Sequence, residues 1–259
     1  MAIQVKSLSY STVSQFINCP DRVWMEKIER IPRRGGMSVK ALFGVALHCA
    51  VASFYRAFLQ RTSLSLDTLI RTFRIRFESI PVQADPENPV EELLEQAKQL
   101  LSMFVELEPP KSIISIERPY RFMLTSRLEA VCCPDVIVRD VNNVLTIIDW
   151  KSSTKKYAPD QVRKVTEQTL VYGMRFNEPI KSRTLLFLRK KKCEILDLEL
   201  NPNEVNPQEI IQKFSNVQKA LENQIHFKNR GWWCAGCPYG YICNEPVSVE
   251  QEEERVMVA

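Results

Sequence analysis

The sequence predicts an α/β fold in which a mixed sheet carries helices on its faces. Three observations predict it. Apolar residues recur at helical spacing through about residue 107. Beyond Pro109-Pro110 the pattern shortens to β-rich runs, which then alternate with two more helical segments. The chain then reaches a Cys-x2-Cys-x5-Cys group, Cys234, Cys237 and Cys243, whose natural fourth member, Cys19, lies far upstream.

Ser9 to about Arg30 reads as a helix capped by Ser11 or Ser14, with Val13, Phe16, Ile17, Val23, Trp24 and Ile28 apolar and Pro20 as an interruption. Pro32 to Gly36 is a basic break containing Arg33-Arg34. Val39–Leu59 is a long apolar helix and Leu66–Glu78 a second. After the polar loop Pro81–Pro89 comes an amphipathic helix over about Val90–Leu107. Strands follow over Ser112–Arg118, Tyr120–Leu128, Val131–Arg139 and Val144–Trp150, the last two joined by a turn at Asn142-Asn143. A helix over about Pro159–Phe176 leads to two strands, Arg183–Arg189 and Cys193–Leu200, around the basic turn Lys190–Lys192. The last helix covers about Pro207–Gln224, and Glu250–Arg255 is a solvated, charged tail.

At 259 residues, 45% apolar and 25% charged, the chain is large enough to bury a full core. Its net charge of +4 permits a nucleic-acid partner without requiring one. The N-terminus lacks the basic-then-apolar pattern of a signal peptide, and no stretch reaches the ~18 apolar residues of a membrane span. A cytoplasmic protein without membrane contact is therefore expected. In that compartment the eight cysteines read as thiols and metal ligands rather than as disulfides. Cys49, Cys132, Cys133 and Cys193 lie in apolar runs and read as small buried hydrophobes.

The chemistry concentrates at the end of the strand Val144–Trp150. Asp149 and Lys151 are two apart and share a face, while Trp150 points the other way. Asp135 lies on a strand that can pair with the first. Two carboxylates from adjacent strands can hold Mg2+ or Mn2+, with the lysine steadying a water or developing charge. Glu117 is either another acidic contributor or a solvated edge residue. Four thiolates from Cys19, Cys234, Cys237 and Cys243 suit either Zn2+ or a [4Fe–4S] cluster, and their spacing does not choose between them.

Taken in order, these motifs resemble the PD-(D/E)xK nuclease superfamily, specifically its RecB-like branch with an iron–sulfur cluster. The residues that carry the resemblance are His48 in Phe43-Gly44-Val45-Ala46-Leu47-His48, Pro134-Asp135, Asp149-Trp150-Lys151, and Gln168-Thr169-Leu170-Val171-Tyr172. The opening Leu8-Ser9-Tyr10-Ser11, with Cys19-Pro20 after it, is similar to the segment bringing the first cluster ligand. One departure is Cys133, where the family often has glycine two residues before the first aspartate. The branch includes the CRISPR-associated exonuclease of spacer acquisition and AddAB-type nuclease domains.

The resemblance implies a restriction-endonuclease-like sheet in one nuclease domain, 1–245. Within it, 1–110 is mainly helical, 111–200 is the sheet core with the active site, and 201–245 is a helix and iron–sulfur closure; 246–259 is a flexible tail. It also implies that His48, Asp135, Asp149 and Trp150 contact Mg2+ or Mn2+, with Lys151, Gln168 and Tyr172 completing the catalytic set. Cys19, Cys234, Cys237 and Cys243 would hold a structural [4Fe–4S] cluster in preference to Zn2+, a choice also favoured by the aromatic setting of Trp232-Trp233 and Pro238-Tyr239-Gly240-Tyr241. The implied activity is a metal-dependent DNA exonuclease acting on single-stranded ends. Lys155 and Lys156, close to the proposed metal along the chain, are the candidates for phosphate contacts. Proteins of CRISPR adaptation or DNA repair are the further partners it suggests. Two competing readings are a catalytically silent DNA-binding or assembly subunit, and a zinc-stabilised nucleic-acid module.

Overall fold

The computed structural model describes residues 3–80, 88–108, 110–189 and 192–243. Most of the Pro81–Pro89 loop, Pro109, Lys190, Lys191 and the charged tail thus lie outside the described residues. The elements are β1 (Ser7–Ser9), α1 (Tyr10–Asn18), α2 (Pro20–Lys27), α3 (Val39–Leu59), α4 (Leu66–Glu78), α5 (Val90–Val105), β2 (Ser112–Ile116), β3 (Tyr120–Met123), β4 (Glu129–Cys132), β5 (Val136–Arg139), β6 (Leu145–Ser153), α6 (Pro159–Gly173), β7 (Ile180–Leu188), β8 (Glu194–Leu200), α7 (Pro207–Glu222) and α8 (Gly240–Cys243).

β6 is the middle of a five-stranded mixed sheet, β2-β5-β6-β7-β8. Its pairing with β7 is parallel, because α6 carries the chain across between them, and its pairing with β5 is antiparallel. Layers on both faces explain why every β6 residue from Leu145 to Trp150 is buried. Ile148 and Trp150 pack on the α3–α4–α5 side with Leu42, Phe43, Leu69 and Leu100. Ile147 packs on the other side with Ile137 and Tyr172. Strand alternation therefore aims Asp149 and Lys151 at α6. A smaller mixed sheet, β1-β4-β3, and a third cluster join α1 and α2 to α7 through Val13, Trp24, Phe214 and Leu221.

Several expectations need correction. The predicted helix over 9–30 is two helices, broken at Cys19, whose backbone is extended (φ −152°). Pro20 starts the second, a position where its missing N–H costs nothing. Ser9, rather than Ser11 or Ser14, caps the first, accepting from the Thr12 N–H at 3.2 Å. The expected strand over 131–139 is split between the two sheets, because the chain crosses from one to the other at Cys133-Pro134-Asp135 and proline cannot donate to a ladder. Cys133 is consequently exposed, and Cys49 only half-buried, unlike Cys132 and Cys193.

Helix α3 is long and apolar enough to cross a membrane by length and composition, contrary to the sequence expectation. Its placement explains the apolarity: Leu42, Phe43, Ala46 and Ala50 are fully buried against the sheet and its neighbouring helices. Arg189 does not belong to a solvated basic tip. It is 5% exposed, with its guanidinium 4.7 Å from the centre of the Phe43 ring.

Candidate active site

β6 delivers Asp149 and Lys151, and the crossing into β5 brings Asp135 beside them. The register pairs Val136 with Ile148, which places Asp135 opposite Asp149 one residue further on. Asp149 is 2% exposed and its Oδ2 ion-pairs with the Lys151 ammonium. Asp135 Oδ2 accepts from the Trp150 N–H at 2.6 Å. His48, on α3, donates from Nε2 to the Trp150 carbonyl at 2.8 Å and turns Nδ1 toward Asp135 Oδ1 at 3.5 Å. Gly44, one turn earlier, permits this approach, since a Cβ there would lie 3.2 Å from Ser152 Oγ. The Trp150 indole points into the core, stacked on Tyr55 at 5.5 Å, so its peptide group is what it presents to the site. On α6, Gln168 donates to the Tyr172 hydroxyl one turn away.

The electrostatics follow from burial and crowding. Burial pushes the Asp149 carboxyl up, Lys151 pulls it down, Asp135 pushes it up again, and the net shift is upward. Burial alone would lower the His48 pKa, but its hydrogen bond to Asp135 and the charge there outweigh this and raise it. Tyr172 is raised by burial first, against the opposing Gln168 hydrogen bond. Tyr157 is pushed up to about 12 by burial and by Asp149.

These groups carry the donor types that a divalent cation takes. With Nε2 donating, the Nδ1 lone pair of a neutral His48 faces a carboxylate oxygen, an arrangement that calls for a proton or a cation between them. Together with Asp149 this is a nitrogen–oxygen donor set suited to a hard divalent ion. As placed, no three His, Cys, Asp or Glu side chains among the described residues are close enough together to hold a metal ion. Glu117 ion-pairs with Arg56, and its N–H donates to the Asp135 carbonyl at 2.8 Å, so it supports the crossing through its backbone.

The family model of the PD-(D/E)XK nuclease superfamily matches residues 7–244. The chain belongs to the PD-(D/E)XK nuclease superfamily. The five-stranded sheet with helices on its faces is accordingly a restriction-endonuclease-like fold. Among solved structures, this nuclease-superfamily chain is similar to a protein from Eubacterium rectale provisionally named an exonuclease. That match has a TM-score of 0.56 at 10% identity and covers 94% of this chain and 91% of that one. It is also similar to SSO0001, with a TM-score of 0.38 at 11% identity, covering 91% of this chain and 98% of that one. No curated protein matches.

Beside Lys151 in this superfamily member opens a groove of about 620 Å³ between α1 and α6, to which Tyr157, Lys164, Gln168 and Trp232 contribute. Lys155 and Lys156 sit in the turn after β6 and do not line it; Lys156 lies 3.7 Å from Glu194. Sequence reasoning missed Tyr157 and Lys164, although the spacing of Lys164, Gln168 and Tyr172 marks one helical stripe. In a separate cavity of about 60 Å³, Cys19, Cys234, Cys237 and Cys243 form the lining with Arg22, Lys228 and Arg230, all four cysteines as free thiols. Trp233 lines that cavity and donates to the Asn229 carbonyl at 2.9 Å. Trp232 is 79% exposed and does not line that cavity, whereas Tyr239 is fully buried.

Proposed function

We propose that this chain is a metal-dependent DNA nuclease of the RecB-like branch, an exonuclease on single-stranded ends, with a structural [4Fe–4S] cluster. The observation that carries the reading is the convergence of His48, Asp135, Asp149 and Lys151 at one end of β6 in a nuclease-superfamily chain. Mg2+ or Mn2+, held by His48, Asp135 and Asp149 beside the Trp150 peptide, would supply Lewis-acid polarisation of the phosphodiester and a more acidic water.

The chain's own groups do the rest. The Trp150 N–H fixes the Asp135 carboxylate, and Asp149 holds the Lys151 ammonium in place. That ammonium orients the attacking water or offsets charge developing on the phosphate. Gln168 and Tyr172, the latter kept neutral by burial, stand as uncharged donors on the α6 wall. Lys155 and Lys156 give phosphate contacts after β6. In the cysteine cavity four sulfur donors share the lining, and Arg22, Lys228 and Arg230 there offset the charge that thiolates would bring, so the donor set fits an iron–sulfur cluster or zinc. The resemblance favours iron–sulfur over zinc and suggests DNA-processing or CRISPR-adaptation proteins as partners.

The test uses anaerobically purified protein and end-labelled single- and double-stranded DNA with Mn2+. Lys151→Ala is expected to lose about 100-fold or more in rate while keeping its circular dichroism. Full activity in both Lys151→Ala and Asp149→Ala would overturn the reading.

A further inference from the structure

We infer that the groove between α1 and α6 is a single-strand lane, in which Trp232 stacks an unpaired base and Lys164 holds a phosphate. This rests on the nuclease reading and specifies how its substrate is held. The groove connects chemistry to an open surface. Lys164, Gln168 and Tyr172 form one stripe on α6, about 12 Å from end to end by helix rise. Lys164 is exposed, Gln168 half-buried and Tyr172 7% exposed, so the stripe descends from solvent to the site. Lys151 and Gln168 line the same groove as Lys164 and Trp232.

Trp232 gains little from the fold that places it. At 79% exposure its indole is left largely in water, although tryptophan is on average a highly buried residue. It meets Trp233 at an interplanar angle of 68° with centroids 5.8 Å apart, an edge contact that leaves a broad ring face open. Tyr157 adds a second ring to the groove. An aromatic platform, a solvent-facing cation and a volume of about 620 Å³ suit an unpaired strand, because stacking accepts every base and needs it free of its partner.

Binding of a short fluorescein-labelled oligothymidylate, followed by anisotropy without added divalent metal, reads the lane apart from cleavage. Trp232→Ala is expected to weaken Kd by about 10-fold or more, as loss of one stacked base does, with Trp232→Phe retaining most of the affinity. Lys164→Ala should flatten the slope of log Kd against log salt by about 0.7, the signature of one lost phosphate contact on a single strand. Wild-type affinity in Trp232→Ala, or an unchanged slope in Lys164→Ala, would overturn the lane. If that happened while wild type still cut DNA and Lys151→Ala did not, the nuclease reading would stand alone. A wild-type protein that neither bound nor cut DNA would remove both. Should Trp232→Ala disturb the cysteine segment, Lys164, on the exposed side of α6, carries the test through its salt slope.

Discussion

Asp149 is a carboxylate kept almost entirely from water, with Asp135 opposite and the Lys151 ammonium against it. Such a placement costs stability that a catalytic arrangement can justify and a purely structural one would not select. The two partners should therefore respond with opposite signs. Asp149→Asn removes a buried charge while Lys151, 28% exposed at its side chain, can still hydrate, so we expect a gain of about 1 kcal/mol together with loss of cleavage. Lys151→Met strands the buried carboxylate and is expected to lose about 2 kcal/mol, less than a fully buried pair because Lys151 reaches solvent. Urea midpoints at neutral pH, measured beside cleavage rates, check this. Destabilisation by both variants would make Asp149 a structural partner.

At the scale of elements, the site depends on how closely α3 lies against β6. Gly44 sets that approach, one turn before His48. Gly44→Ala asks Ser152 to give by a few tenths of an ångström and should be tolerated. Gly44→Leu should move the helix and with it His48. We expect a loss of about 100-fold in cleavage, the scale of a 1 Å misplacement, with a folded protein by circular dichroism.

Helices α3 and α4 were legible in the sequence. Ser38 and Ser65 cap α3 and α4, and each apolar stripe runs from its cap, so their bounds could be read directly. The meeting of His48, Asp135, Asp149 and Lys151 was also legible, from the order of the motifs. β1 was not, because three residues carry no period and its strand character comes from pairing with β4. Nor was the burial of Arg189, which depends on Phe43 in a helix far away in sequence. Lys155 and Lys156 drew attention by proximity to Asp149 along the chain. Lys164 faces the groove because helical spacing puts it there.

Across the whole molecule, the two ends of the described chain are tied together. The Asp21 N–H donates to the Phe227 carbonyl at 3.2 Å, Asn229 Nδ2 to the Asn18 carbonyl at 2.8 Å, and the Tyr241 hydroxyl to the Pro32 carbonyl at 2.9 Å. His226 stacks on Trp24 at 4.2 Å and lies 2.7 Å from Asp21. Of these residues Asn229 also lines the cavity of the four cysteines. Protein purified without oxygen is expected to be brown, with about four irons per chain. Cys19→Ser should lose the colour and melt several degrees lower. Iron analysis with a thermal melt checks both, and colourless protein carrying zinc would replace the cluster.

This clasp also has a timetable. Ribosomes add about 5–20 residues per second, so Trp232 emerges roughly 4 to 16 s after Lys151, and Cys234 roughly 10 to 40 s after Cys19. The nascent chain thus carries Asp135, Asp149 and Lys151 before the segment bearing Trp232 exists to line the groove. The groove proposed to hold a strand is lined by all its residues only after that segment has been made.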